Sequence, residues 1–184
     1  MNDESPIRME TNLEHILTHS YKADLIRYMN SHPEDFDELI SLAIKDVQPY
    51  SWRAAWLLWS CMEPDDPRVH KHIRQIINGL TSKNDDQLRE LMIVLRRMEV
   101  DEAVEGKLFD ICVGVWEKIG KKPSVRFNAF KLISKIAGRH PELSHEIEFL
   151  LDPRFLESLS QTARKSIQVE ANYYMSHAKR NKQL

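Results

Sequence analysis

Glycine is scarce in this chain, at 5 of 184 residues, and no stretch alternates apolar and polar side chains over the length of a strand. A half-buried sheet needs that alternation and tight hairpins need glycine, so an all-α protein is predicted. Long apolar runs are also missing. No run reaches the roughly 18 residues of a membrane helix. Met1 to Thr11 carries acids and no apolar segment, so neither a secretory signal nor a membrane anchor is expected. The 2 cysteines, Cys61 and Cys112, lie in apolar stretches and read as packed thiols of a reducing compartment, not as a disulfide scaffold. A soluble, cytoplasmic protein is therefore the expectation.

Charge of one sign is lacking too. The chain has 26 cations against 28 acids, a net charge of −2, which gives no bulk attraction to nucleic acid or to an anionic membrane. There is no phosphate-cradling Gly-rich loop, no nucleophile elbow and no CxxC, so no enzyme chemistry and no cofactor are expected. His15 and His19 have the i, i+4 spacing that can hold a metal, but no third ligand is identifiable, and no metal site is predicted.

What the chain does have is a repeat. Ser51-Trp52-Arg53-Ala54-Ala55-Trp56 begins with a small residue, an apolar residue and a cation, followed by two variable positions and another apolar residue. The same order recurs at Gln87-Leu88-Arg89-Glu90-Leu91-Met92, at Ser124-Val125-Arg126-Phe127-Asn128-Ala129 and at Thr162-Ala163-Arg164-Lys165-Ser166-Ile167. A weaker copy is Ser20-Tyr21-Lys22-Ala23-Asp24-Leu25. The cations Lys22, Arg53, Arg89, Arg126 and Arg164 are separated by 31, 36, 37 and 38 residues. A fixed period in this range marks a solenoid of helix pairs.

Breakers and caps divide the chain into about ten helices in five antiparallel pairs. Pro33 followed by acids opens one helix and Pro49 opens the Trp-rich one, which Pro64 ends. A single helix is predicted over 68–80, with Asn84, Asp85 or Asp86 capping its partner. Asp101 begins a long helix to Ile119, where Gly120 suits a left-handed stop. Pro123 opens the next helix and Gly138 closes it. A short helix from Pro141 follows, Asp152-Pro153 breaks it, and Ser158 or Ser160 starts the last. Residues 1–11 and 179–184 read as flexible tails around a single repeat domain over 12–178.

By the apolar-Arg-x-x-apolar signature on every second helix and the period near 37 residues, the chain resembles the HEAT and armadillo-like family. The resemblance covers about Ser20 to Met175. It implies a right-handed α-α superhelix whose second helices line a concave face, and a non-enzymatic scaffold that binds other macromolecules. Family repeats place an Asp about six residues before the Arg. Here those positions are Val47, Lys83, Gly120 and Ser158, so the family's Asp–Arg ladder does not carry over.

The cations are the candidate contacts. At about 100° per residue Arg96 shares the arc of Arg89, and Lys22, Arg53, Arg126 and Arg164 extend it onto the other inner helices. Neighbours about 10 Å apart repel by roughly 0.4 kcal/mol in water and about 1.7 kcal/mol at an effective dielectric of 20. Such a row needs anions beside it, supplied by the chain's own carboxylates or by a partner. From Lys122 to Arg139 there are five cations and no acid, with Lys131 and Lys135 on one helix face, either as a solvated strip or as an anion-binding one. Trp52, Trp56 and Trp59 share a face and read as core, the alternative being a platform for stacking bases or sugars.

The expected function is protein binding through the inner surface, with a protein or acidic peptide as partner and no membrane. The candidate contacts are Lys22, Arg53, Arg89, Arg96, Arg126, Lys131, Lys135 and Arg164. The alternative is a nucleic-acid-binding protein similar to the DNA alkylation repeat proteins.

Overall fold

The computed structural model describes residues 9–181, with side chains placed through Tyr173. Among them are twelve α-helices, three short 3-10 turns and no strand. The first helix, α1 (Asn12–His19), is set by a capping box. The Glu14 N–H donates to Thr11 Oγ1 at 3.2 Å, and the Thr11 N–H donates to the Glu14 carboxylate at 3.0 Å. After α2 (Lys22–Ser31), Pro33 opens a 3-10 turn that leads into α3 (Phe36–Ile44), and α4 (Tyr50–Cys61) follows Pro49.

The helix predicted over 68–80 is two helices, α5 (Pro67–His70) and α6 (Ile73–Gly79). At the joint the His72 N–H donates to the Val69 carbonyl, 2.9 Å away. That contact, three residues back, breaks the four-residue ladder. Asn84 caps α7 (Asp85–Arg96) by accepting the Gln87 N–H at 3.0 Å. Next come α8 (Glu102–Glu117), α9 (Pro123–Ala137), α10 (Ser144–Leu150), the single turn α11 (Pro153–Leu156) and α12 (Gln161–Asn181). Asp152-Pro153 thus breaks the chain into an additional helix, and Ser160 Oγ accepts the Ala163 N–H at the start of α12.

The left-handed stop expected at Gly120 is not made. Among the described residues no glycine has a positive φ. The chain leaves α8 through Lys118, whose ψ of 87° already departs from the helix. The left-handed residue is Asp65, at φ 53°. It is held there by its N–H donating to the Arg97 carbonyl (2.7 Å) and its carboxylate accepting the Glu99 N–H (2.8 Å). The expected flexible tails over 1–8 and 182–184 lie outside the described residues. Residues 179–181 belong to α12, and Thr11 is the cap of α1.

Within successive pairs α3 packs on α4, α8 on α9 and α10 on α12, while α1 and α2 both pack on α4. The second helices pack in a row, α4 on α7, α7 on α9 and α9 on α12, while α3, α6 and α8 form an outer layer. The core lies between the layers, where Leu57, Leu58, Leu95, Phe130 and Ile133 have no exposed surface. Each such side chain contributes about 1.5–3 kcal/mol by leaving water. The wholly buried tryptophan is Trp116 of α8. Its ring stands 4.7 Å from Phe130, and its N–H donates to the Leu150 carbonyl at 2.9 Å, joining two repeats.

Candidate binding surface

Helix α9 decides most about the cationic row. Arg126 is fully buried, in contradiction to its expected place on a binding wall. Its Nε donates to the Trp116 carbonyl (2.7 Å), one terminal nitrogen donates to the Phe155 carbonyl (2.6 Å), and the other donates to Ser158 Oγ. The guanidinium also lies 4.7 Å from the Trp116 ring centroid. Burial depresses its pKa, and its donors are spent on the open carbonyls of α8 and α11. Ser158 is the residue six places before Arg164, where the family has Asp, so a neutral hydroxyl of the following repeat occupies the ladder position.

The rest of the basic stretch is also internally partnered. Lys122 pairs with Asp86 at 2.7 Å and Lys131 with Glu170 at 2.7 Å. Lys135 donates to the carbonyls of Arg96 (3.2 Å) and Met98 (2.7 Å) and pairs with Glu99. Arg139 bridges Glu99 and the buried Glu105, which His140 also contacts. Neither a solvated strip nor an open anion-binding strip describes this segment. It is a set of clamps between α9 and its neighbours.

Two further candidates spend donors on backbone carbonyls of their own chain. Arg164 folds back on its own approach loop, donating to the carbonyls of Leu159 (2.9 Å) and Glu157 (2.8 Å). Arg53 donates to the Ser20 carbonyl at 3.0 Å, while its Nε is buried without a partner among the described residues. Arg96 donates to the Asn128 side chain at 2.7 Å, tying α7 to α9.

The remaining candidates gather where α2, α4 and α7 meet. Lys22 is exposed and its ammonium sits 4.9 Å from the Trp56 ring centroid. Trp56 and Trp59 meet edge to face at 6.1 Å, a favoured aromatic geometry. Trp52, Trp56 and Trp59 are half-buried; Trp56 and Trp59 pack against the core from its edge, as expected in part, and Trp52 does not join it. Below them lies Glu90, 2% exposed, which the cation motif gave no reason to single out. Its carboxylate accepts the Trp59 N–H at 2.6 Å and pairs with Arg89 at 2.7 Å. Burial holds the Glu90 carboxyl above the usual carboxylate range, outweighing the Trp59 hydrogen bond and the Arg89 charge. Arg89 keeps 39% of its side chain in solvent. The corner therefore presents two partly exposed indoles and two cationic heads, with a buried acid holding Trp59 and Arg89.

The only sequence signal for Glu90 was an acid beside Arg89 within an apolar helix, and nothing marked Arg97. Arg97 donates to the carbonyls of Trp59 and Met62, both at 2.9 Å, at the end of α4. His15 and His19 stack with ring centroids 4.2 Å apart, and His19 Nδ1 lies 2.9 Å from the His15 carbonyl. Cys61 and Cys112 are free, half-buried and buried respectively, and burial raises both thiol pKa values. Among the described residues no helix is long and apolar enough to cross a membrane.

Paired helices, stacked inner helices and a recurring inner-helix cation define an all-α solenoid. The chain matches the HEAT repeat domain over residues 9–177 and belongs to the HEAT repeat family. It is a helical repeat scaffold, of a family whose members are generally non-catalytic and often mediate protein interactions. No curated protein and no solved structure matches it.

Proposed function

We propose that this scaffold binds a protein or acidic peptide through its inner layer, with the α2–α4–α7 corner as the principal contact. The observation that carries the reading is the partial exposure of Trp56 and Trp59 beside Lys22 and Arg89. Tryptophan and arginine dominate interface energies because they pair a large apolar face with an oriented polar edge. Two cationic heads over indole rings suit an aspartate or glutamate next to an apolar side chain. Arg96, Lys131 and Lys135 are then secondary contacts at most, since each holds a neighbouring helix.

A random peptide library selected on the wild-type chain tests this. Enriched sequences should be acidic and apolar and should lose binding to the Lys22→Glu, Arg89→Glu double variant. Selected peptides that bind that variant equally well would sink the proposal.

A further inference from the structure

The outer layer carries a second feature that the inner-layer reading does not use. Between α8 and α10 runs a groove made of two adjoining depressions of about 520 and about 580 Å³, which share Phe109, Asp110 and Glu146. Its floor is apolar, with Phe109, Val113 and Leu150 at its centre, and Phe149 stands at the edge with 53% of its surface in water. Its rim is acidic. Glu102, Asp110, Glu117 and Glu146 are exposed and make no ion pair among the described residues, and no lysine or arginine lines either depression.

Two glycines of α8, Gly106 and Gly114, line the groove. A glycine inside a helix costs about 0.5–1 kcal/mol relative to alanine, a cost usually offset by close packing against the bare backbone. A Cβ built at either position meets nothing within 4 Å. In the chain alone the bare stretch of α8 is therefore not filled. At 16 residues α8 is roughly 24 Å long, enough to lie along three or four turns of a second helix.

We propose that this groove receives an amphipathic α-helix of another protein, with an apolar stripe on the floor and lysine or arginine along both flanks. Charge complementarity selects this occupant. A rim of four carboxylates without a cation repels an acidic helix and attracts a basic one. The apolar floor requires side chains at i, i+3 or i+4, and i+7 of that helix. The surface is separate from the inner corner, and its preference for charge is the opposite one.

The probe is a labelled leucine–lysine peptide of about 15 residues with one apolar face, followed by fluorescence anisotropy. Its controls are a leucine–glutamate peptide of the same pattern and a leucine–lysine peptide scrambled to remove the stripe. Gly106→Met with Gly114→Met puts bulk into the groove at two positions where an added Cβ meets nothing within 4 Å and raises helix propensity, and an unchanged far-ultraviolet dichroism separates loss of binding in that variant from loss of fold. The patterned basic peptide should bind the wild type and lose about tenfold or more in affinity in that variant and in Asp110→Lys with Glu146→Lys. Its binding should weaken as salt rises. Binding by the scrambled peptide, or equal binding by the filled-groove variant, would overturn the proposal. So would self-association by light scattering that the filled-groove variant abolishes, because the occupant would then be a second copy of this chain.

Discussion

Arg97 and Lys135, 38 residues apart, do the same thing in successive repeats. Arg97 lays its guanidinium over the end of α4, on the carbonyls of Trp59 and Met62. Lys135 lays its ammonium over the end of α7, on the carbonyls of Arg96 and Met98. Each cation meets the negative end of the preceding inner helix, where the last carbonyls have no partner of their own. The repeat period therefore brings a positive head of one unit to the open end of the unit before it.

Removing one of these clamps should cost stability and spare the surface. Arg97→Met leaves two carbonyls without their donor, and a charge-assisted bond of this kind is worth about 1.5–3 kcal/mol. An unfolding free energy lower by about 2 kcal/mol, read as a lower urea midpoint, is expected, with Arg97→Lys intermediate because it restores the charge but not the two-pronged geometry. An unchanged midpoint would remove the clamp from the account of repeat stacking.

Arg126 should behave as a core residue. Arg126→Met strips donors from the Trp116 and Phe155 carbonyls and from Ser158, with an expected loss of about 3 kcal/mol or more. Arg126→Glu should fail to fold, because a buried carboxylate would face carbonyl oxygens. By contrast, Arg89→Glu acts on a partly exposed side chain and should keep the far-ultraviolet dichroism of the wild type. A stable, fully helical Arg126→Glu variant would contradict the burial.

Asp66 predicts an acid-labile corner. Its carboxylate accepts from Arg68 Nε (3.0 Å), Arg68 Nη2 (2.7 Å) and the N–H groups of Arg68 and Glu63. The Arg68 side-chain bond, before the other contacts, lowers its pKa from 3.8 to about 2. A depressed folded-state pKa contributes stability above the unfolded value that is lost as the pH falls through the folded one. Between about pH 4 and pH 2 the wild type should therefore lose stability that Asp66→Asn lacks at every pH. The difference should be on the order of 1–2 kcal/mol, since Arg68 is partly in water. Parallel stability curves over that window would show that Asp66 does not titrate there.

Protein and nucleic acid as partners are separable by titration. With a net charge of −2 and its basic stretch occupied by internal carboxylates and carbonyls, the chain is expected to retain neither duplex nor single-stranded DNA on a filter at low salt. Retention at micromolar protein, relieved by salt, would favour the nucleic-acid reading.

Much of the fold was legible because a solenoid writes its period into the chain. The cations near 37-residue spacing, the prolines and Asn84 mark helices α3 to α9 within a few residues. The split at His72 and the turn of α11 were not legible, since both depend on three-residue hydrogen bonds that leave no apolar pattern. The site was read less well. Arg89 and Arg126 carry the same local signature, yet one keeps 39% of its side chain exposed and the other none.

The amino-acid order by itself determined the helical class, the pairing of helices and the recurrence of a cation on each second helix, because propensity and periodicity are local properties of the chain. Which cations face solvent, and which apolar rings of α4 stay half in water, was decided only in the assembled molecule. Trp116, Phe155 and Ser158 converge on Arg126, while Trp56 and Trp59 pack on the core and still keep part of their surface in water, although Glu90 of α7 holds the Trp59 N–H. Burial is set by neighbours distant in the chain, so residues with identical local surroundings end in opposite environments.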